Sequence, residues 1–325
     1  MSKFLKWLLI AVALLFVGAL IIGITLAGKD RKKDRGDEMT KTIEIEKEAL
    51  ARIRDLELNW AAGSLTVKAW DENYLKAEIR YREKGPVPSV VAEGRDLIIE
   101  NGVDFWEGFN ISFDWLSDKT VSMELFVPES LVFEQANIHG DAGDIRFEFP
   151  VYAENAYITV NAGTAAFDGI YAENLIETDL SAGALTIDRM TGKEVKMETG
   201  AGELKVLELI ADAARVKMSA GKGKIAGTVP GMNIDLSAGT LEFTNTLELS
   251  DVWMDFNISA GTIELNNKPV KNHGRTVVNE GCRDTGKYLT ATVSAGTLKL
   301  QYKGSWSGEI WDSRRPTILE TETEE

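Results

Sequence analysis

An Ala-Gly pair recurs nine times along the chain, each time flanked by alternating apolar and polar residues, at Gly63, Gly143, Gly163, Gly183, Gly202, Gly221, Gly239, Gly261 and Gly296. From Gly143 to Gly261 the glycines follow one another at 20, 20, 19, 19, 18 and 22 residues, and the last step, to Gly296, is 35. A fixed period near twenty means a structural unit that buries its apolar face only against copies of itself. Two and four residues after the glycine the chain is apolar, as in Leu185 and Ile187, Leu204 and Val206, Leu241 and Phe243, Ile263 and Leu265, and Leu298 and Leu300. Five and three residues before it the pattern returns with Ile158 and Val160, Val216 and Met218, Ile234 and Leu236, and Phe256 and Ile258. Period two on both sides predicts two strands with one buried face each.

Across the glycine the alternation slips by one residue, so the chain is expected to bend there on a permissive backbone. The preceding alanine is expected to point into the tight inside of the bend. Coils of about 18–22 residues stacked 4.8 Å apart describe a single-stranded parallel β-helix, an all-β solenoid. A β-sandwich, with turns every 8–12 residues, would not demand the same corner on alternate connections.

The rest of the chain divides around this array. Residues 1–6 form a short basic tail. Residues 7–26, WLLIAVALLFVGALIIGITL, carry no charge and are long enough to span the roughly 30 Å hydrocarbon core as a transmembrane helix. A cleaved signal peptide is the competing reading, but its apolar region would be shorter. Residues 27–40 read as a juxtamembrane linker and 41–142 as irregular coils or a cap. Residues 143–303 form the regular solenoid, with a loop insertion at 266–287, and 304–325 a tail. Lys3 and Lys6 precede the apolar stretch, while Lys29, Arg31, Lys32, Lys33 and Arg35 follow it. That count favours a cytoplasmic carboxyl side, whereas amino-terminal anchors of this kind usually export it. Orientation stays open, with an extracytoplasmic solenoid at the cell membrane as the expectation.

The iterated strand, Ser/Asn-Ala-Gly, strand pattern, together with the opening KTIEIEKEALARIRDLELNWAAGSLTVKAW, resembles the bacterial toast-rack β-solenoids known as the putative-adhesin family, a family of uncharacterised function. The resemblance covers roughly residues 40–303. It implies a β-helical envelope protein, of a kind often tethered by one amino-terminal membrane helix, and supplies no catalytic residues.

Composition excludes several activities. The formal net charge is −15, and beyond Arg35 there are 29 basic against 49 acidic residues, a net of −20. Such a body repels nucleic acid. One cysteine, Cys282, and two histidines, His139 and His273, exclude disulfides and metal clusters of those ligands. Ser181, Ser219, Ser237, Ser259 and Ser294 stand at equivalent corners without a partner base. SAGKGK at 219–224 lacks P-loop spacing, and His139 with Asp141 and Asp144 is a weak cation motif. No catalytic, cofactor or metal site is expected, and the chain is read as a non-enzyme. Aligned positions mix acids, lysines and threonines without the repeated acid–base set a polysaccharide-processing enzyme would need. The candidate contact patch is FWEGFNISFDW, with Phe105, Trp106, Phe109, Phe113 and Trp115, since aromatics favour interface hot spots; a hydrophobic cap is the plainer alternative. The expected partners are the lipid bilayer, through residues 7–26, and a protein or glycan. The expected function is a surface binding or structural module of adhesin-like type, with an envelope-stress regulator or scaffold as the alternative.

Overall fold

The computed structural model describes residues 37–83, 87–101, 121–270 and 274–304. The expected membrane segment, 7–26, and the aromatic run from Phe105 to Trp115 lie outside these residues. Among the described residues no helix is long and apolar enough to cross a membrane.

The described chain is all-β, and its strands are mostly parallel. Four long strands, β9 (Asp144–Val160), β10 (Thr164–Leu180), β11 (Ala184–Thr199) and β12 (Glu203–Met218), each run from one Ala-Gly corner to the next. Thr164 pairs with Ala184, Ala184 with Glu203 and Glu203 with Lys222. The pairing offset thus equals the sequence period, and every coil lies in register on its neighbour. Between β9 and β10 the register shifts between Phe167 and Gly169 and again between Ala172 and Leu175. These two irregularities, with the corner, turn the chain through one coil of a β-solenoid. β13 (Lys222–Thr228), β14 (Gly231–Leu236) and β15 (Thr240–Asn245) continue the stack.

Inward positions form largely apolar columns, interrupted by the buried Thr178, Thr199 and Asn245. Leu185, Ile187, Met190, Val195 and Met197 are all fully buried. Each such side chain contributes about 1.5–3 kcal/mol relative to solvent. Phe147 and Phe167 stack with ring centroids 5.0 Å apart. Where the column lacks a side chain, at Gly223, the Leu241 and Met218 side chains fill the space.

The corner differs from the sequence expectation. Ala162, Ala182, Ala201 and Ala220 are exposed, and the glycine that follows is the residue turned inward. A Cβ built on Gly163, Gly183, Gly202 or Gly221 would overlap the carbonyl oxygen of the preceding corner glycine. The reason is the bonding between corners, in which Ala182 N–H donates to Asn161 O at 2.7 Å and Ala184 N–H to Gly163 O at 3.0 Å. Backbones held that closely leave no room for a side chain between them. A left-handed φ is needed only at Gly63 (+83°) and Gly239 (+107°) among these corners. Close approach, more than backbone freedom, explains the repeated glycine.

Coil order also departs from chain order at both ends. β2 (Asp55–Trp60) and β3 (Ser64–Trp70) form the Gly63 coil. β6 (Asp96–Glu100) and β7 (Ser122–Pro128) pair with one side of that coil. β8 (Phe133–Gly140) and the start of β9 pair with its other side. At the far end, β16 (Trp253–Ile258) and β17 (Thr262–Leu265) carry the Gly261 corner. Residues 266–287, expected as a loop insertion, hold β18 (Lys268–Pro269) and β19 (Gly274–Val278). The coil after them, β20 (Tyr288–Val293) and β21 (Thr297–Tyr302), lies between the Gly239 and Gly261 coils.

Antiparallel strands line both terminal coils. β4 (Leu75–Arg82) pairs with β7, β5 (Ser89–Glu93) with β6, and β1 (Glu38–Ile45) with β4. At the other end β19 pairs with β16 and β18 with β17. A four-residue helix, α1 (Lys47–Leu50), follows β1 and buries Leu50.

Candidate binding surface

Because coils stack in register, outward side chains align in columns from one coil to the next. Oppositely charged residues on neighbouring coils meet in these columns. Lys217 Nζ lies 2.9 Å from Glu198, Arg215 3.2 Å from Asp235, Lys299 3.0 Å from Glu242 and Arg189 2.7 Å from Glu208. Exposed pairs of this kind contribute at most about 1 kcal/mol each, so they organise the face more than they hold the fold. The Tyr171 hydroxyl and the Glu208 carboxylate hold the Arg189 guanidinium further toward its charged form. Tyr171 in turn stacks on Tyr152 at 5.1 Å. At the bend beyond Phe167, burial and then the neighbouring Asp188 charge push the Asp168 carboxyl up. At the outermost coil, that of Gly261, Arg275 grips Asp255 through Nη2 and Nε, at 2.6 and 2.9 Å, and holds that carboxyl below its usual range.

The corner ridge is a second outward feature. Ser181, Ser219, Ser237, Ser259 and Ser294 are all exposed, beside the exposed alanines. Asp141 and Asn161 occupy the same position on earlier coils. His139 Nε2 lies 3.0 Å from Asp141 Oδ1, and Asn161 Nδ2 donates to that oxygen at 2.7 Å. The histidine is thus committed to an aspartate and not to a serine. Among the described residues no cluster of three or more His, Cys, Asp or Glu is placed to hold a metal ion. In SAGKGK the backbone donors are spent on the coil beneath, Ala220 N–H on Gly200 O and Lys222 N–H on Gly202 O. They cannot cradle a phosphate.

The aromatic run with Phe105, Trp106, Phe109, Phe113 and Trp115 falls outside the described residues, between Asn101 and Val121, which flank it in the coil of β6 and β7. Those two residues are informative in themselves. Val121 O accepts from Ser64 N–H at 3.0 Å, standing where a corner glycine stands elsewhere. The Asn101 side chain, 2% exposed, accepts from Ala61 N–H at 2.9 Å and donates to Ala62 O. An amide side chain thereby bonds main-chain groups of the Gly63 corner.

Sequence reasoning missed one cluster entirely. Trp70, Tyr74 and Phe126 meet at the same end, with Trp70–Phe126 centroids 5.4 Å apart and Trp70–Tyr74 4.7 Å, edge to face. Lys68 and Lys76 approach the Phe126 ring, with Nζ 5.8 and 5.9 Å from its centroid. Only the pairing of β3 and β4 with β7 brings these residues together, and no local pattern signals it.

Among curated proteins none matches this chain. The solved structures it is similar to include a protein from Parabacteroides distasonis ATCC 8503 described as a putative adhesin. That likeness has 12% identity and a TM-score of 0.48, over 83% of this chain and 100% of that one. A putative adhesin from Bacteroides fragilis NCTC 9343 is similar at 10% identity and a TM-score of 0.47, over 82% and 97%. A second Parabacteroides distasonis protein, described as a putative lipid binding protein, is similar at 15% identity and a TM-score of 0.45, over 83% and 96%. The family match is the broad one: over residues 53–300, from the strand before the first corner to the end of the last coil, the chain belongs to the Toastrack DUF4097 family.

Proposed function

We propose that this chain is a membrane-anchored β-solenoid, held by residues 7–26 as a single-pass helix, whose coils serve as a rigid, non-enzymatic binding module at the cell surface. The observation that carries the reading is the in-register stack. It presents columns of charged and small polar side chains at a spacing of about 4.8 Å, clamped by main-chain bonds at every corner. An extended protein or glycan can meet such a face at many equivalent points, with little ordering cost on the solenoid side.

Protease shaving of intact cells carrying a carboxyl-terminal tag tests this reading. Loss of the tag with a cytosolic control untouched is the expected result. A tag that becomes cleavable only after lysis overturns surface display. The five basic residues from Lys29 to Arg35 favour the second reading, a solenoid that holds protein partners beneath the membrane as a scaffold or regulator, and that outcome would promote it.

A further inference from the structure

The middle of the stack carries a patch whose charge opposes that of the body, which is −20 beyond Arg35. In the first residues of β12 and β13 the alternation that buries Leu204, Val206 and Ile225 turns Lys205, Lys222 and Lys224 outward, and all three are exposed. Lys205 pairs in register with Lys224, about 4.8 Å away across the coils, and Lys222 stands two residues before Lys224, about 6.6 Å along the strand. Like charges directly opposite one another are unfavourable. Lys196 and Arg215 also stand in register, but each has an acid of its own, Glu194 at 3.3 Å and Asp235 at 3.2 Å. Lys205, Lys222 and Lys224 have none among the described residues. Glu242, in register with Lys224, is held by Lys299 at 3.0 Å, and Glu208 by Arg189 at 2.7 Å. Glu203, in register with Lys222, is the carboxylate left on the patch and makes no ion pair there. Beyond the lysines, where the register shifts between Val206 and Leu209, Leu207 stands 46% exposed.

The spacing selects the occupant. A peptide in extended conformation shows alternate side chains on one face at the same repeat of about 6.6 Å. Two carboxylates two residues apart therefore meet Lys222 and Lys224 together, with Lys205 beside the second. An apolar side chain two residues further along covers Leu207. A polyanionic glycan carries charge along its whole length, and on this face it would also have to cross the exposed Asp188 and Glu203, which repel it. We propose that the outward face of β12 and β13 docks an extended acidic peptide of a protein partner, its alternate carboxylates held by Lys205, Lys222 and Lys224 and an apolar residue by Leu207. The inference names the partner of the binding module above and rests on that reading. It also accounts for an in-register lysine pair that the fold itself leaves uncompensated.

The test follows the fluorescence anisotropy of a labelled synthetic peptide, Ile-Thr-Glu-Thr-Glu-Thr with blocked ends, titrated with the full chain in neutral detergent micelles. Lys205→Gln with Lys224→Gln should weaken binding about five-fold or more. Lys196→Gln with Lys217→Gln, the same loss of charge where each lysine is ion-paired, should change it by less than about two-fold. A peptide with its two glutamates adjacent, which an extended chain turns to opposite faces, should bind as weakly as one with glutamine in their place. Leu207→Ala should weaken the isoleucine peptide and leave a threonine-for-isoleucine peptide unchanged. Equal losses from the two lysine pairs, or equal binding of the adjacent-glutamate peptide, overturn the docking. Tighter lysine-dependent binding of dextran sulfate makes an anionic glycan the occupant and overturns the peptide. A peptide that fails to bind while the carboxyl-terminal tag is still shaved from intact cells overturns this partner and leaves the surface module standing. Peptide binding by a chain whose tag is protected until lysis upholds the docking face and overturns surface display alone.

Discussion

Between Gly143 and Gly239 each coil lies directly on the one that precedes it in the chain, whereas at the start the chain builds the Gly63 coil, then the coil outside it, and crosses to its other side, and at the far end it skips a level and returns to fill it. The bond that shows this is the same throughout: the N–H after one corner glycine donates to the carbonyl of the glycine in the coil beneath, as from Thr164 to Gly143 and Glu203 to Gly183. At the far end Thr297 N–H reaches Gly239 O, and Thr262 N–H reaches Gly296 O. In the middle, the next coil covers the edge of the last, so chain order suffices. A terminal coil has no successor, and its row of unpaired donors and acceptors would template association. Here the gap is closed by reversal: antiparallel strands cover the outermost coils. The swap also leaves the Gly63 and Gly296 coils paired on both sides, which locks in the first and last coils of the chain.

The largest effect separating the two regions should come from the corner glycines. Gly183→Val should cost about 3 kcal/mol or more, because the glycine below has no alternative position. The end glycine Gly281, with open space around its Cβ position, should tolerate Gly281→Ala within about 0.5 kcal/mol. Urea unfolding of the two variants measures the contrast, and equal losses would break it.

Next comes the core. Leu204→Ala, in the middle of a fully buried column, should destabilise by about 2–5 kcal/mol. Ile43→Ala, on a strand that pairs with β4 alone among the described residues, should lose about 1 kcal/mol. Hydrogen exchange should place the loosening across several coils in the first variant and within β1 and β4 in the second.

The amide that bonds the Gly63 corner sharpens the comparison further. Asn101→Ala leaves Ala61 N–H and Ala62 O buried without their partner, at about 1–3 kcal/mol. Faster exchange should appear at Ala61 and not at Ala182, whose corner is bonded by backbone. Unchanged exchange at Ala61 would mean the amide is dispensable.

Smallest are the pH effects, and they have opposite signs in the two regions. Asp255 at the end coil has a depressed pKa, caused by the Arg275 hydrogen bonds. Its contribution is therefore full above the ordinary carboxylate value of about 4 and is lost as pH falls through the depressed value. Asp255→Asn should remove up to about 1 kcal/mol at neutral pH and flatten the acid side of the stability profile. Asp168 in the middle has a raised pKa, chiefly from burial. Its charged form costs stability above that value, and the cost disappears as pH falls. Asp168→Asn should gain a few tenths of a kcal/mol at pH 7 and nothing in acid. Thermal melts across pH read both.

What the sequence determined by itself was the repeating unit. Period-two alternation around an Ala-Gly pair at steps near twenty specifies which side chains turn inward, as at Leu185 and Ile187, because strand pleat and stacking are local and recur in every coil. The family resemblance was legible in the same residues. The roles within the corner were not. Both Ala and Gly are small, and only the approach of one coil's backbone to the next shows that the glycine faces inward and the alanine faces water. Coil order was likewise beyond the sequence. An antiparallel cap strand such as β19 has no periodic signature, and the swapped positions of β6 with β7 and of β20 with β21 follow from pairing edges far apart in the chain. The candidate surface divides in the same way. The serine row at the corners could be read from the repeat, whereas Trp70, Tyr74 and Phe126 are neighbours only through strand register, a property of the folded stack and not of any segment of the chain.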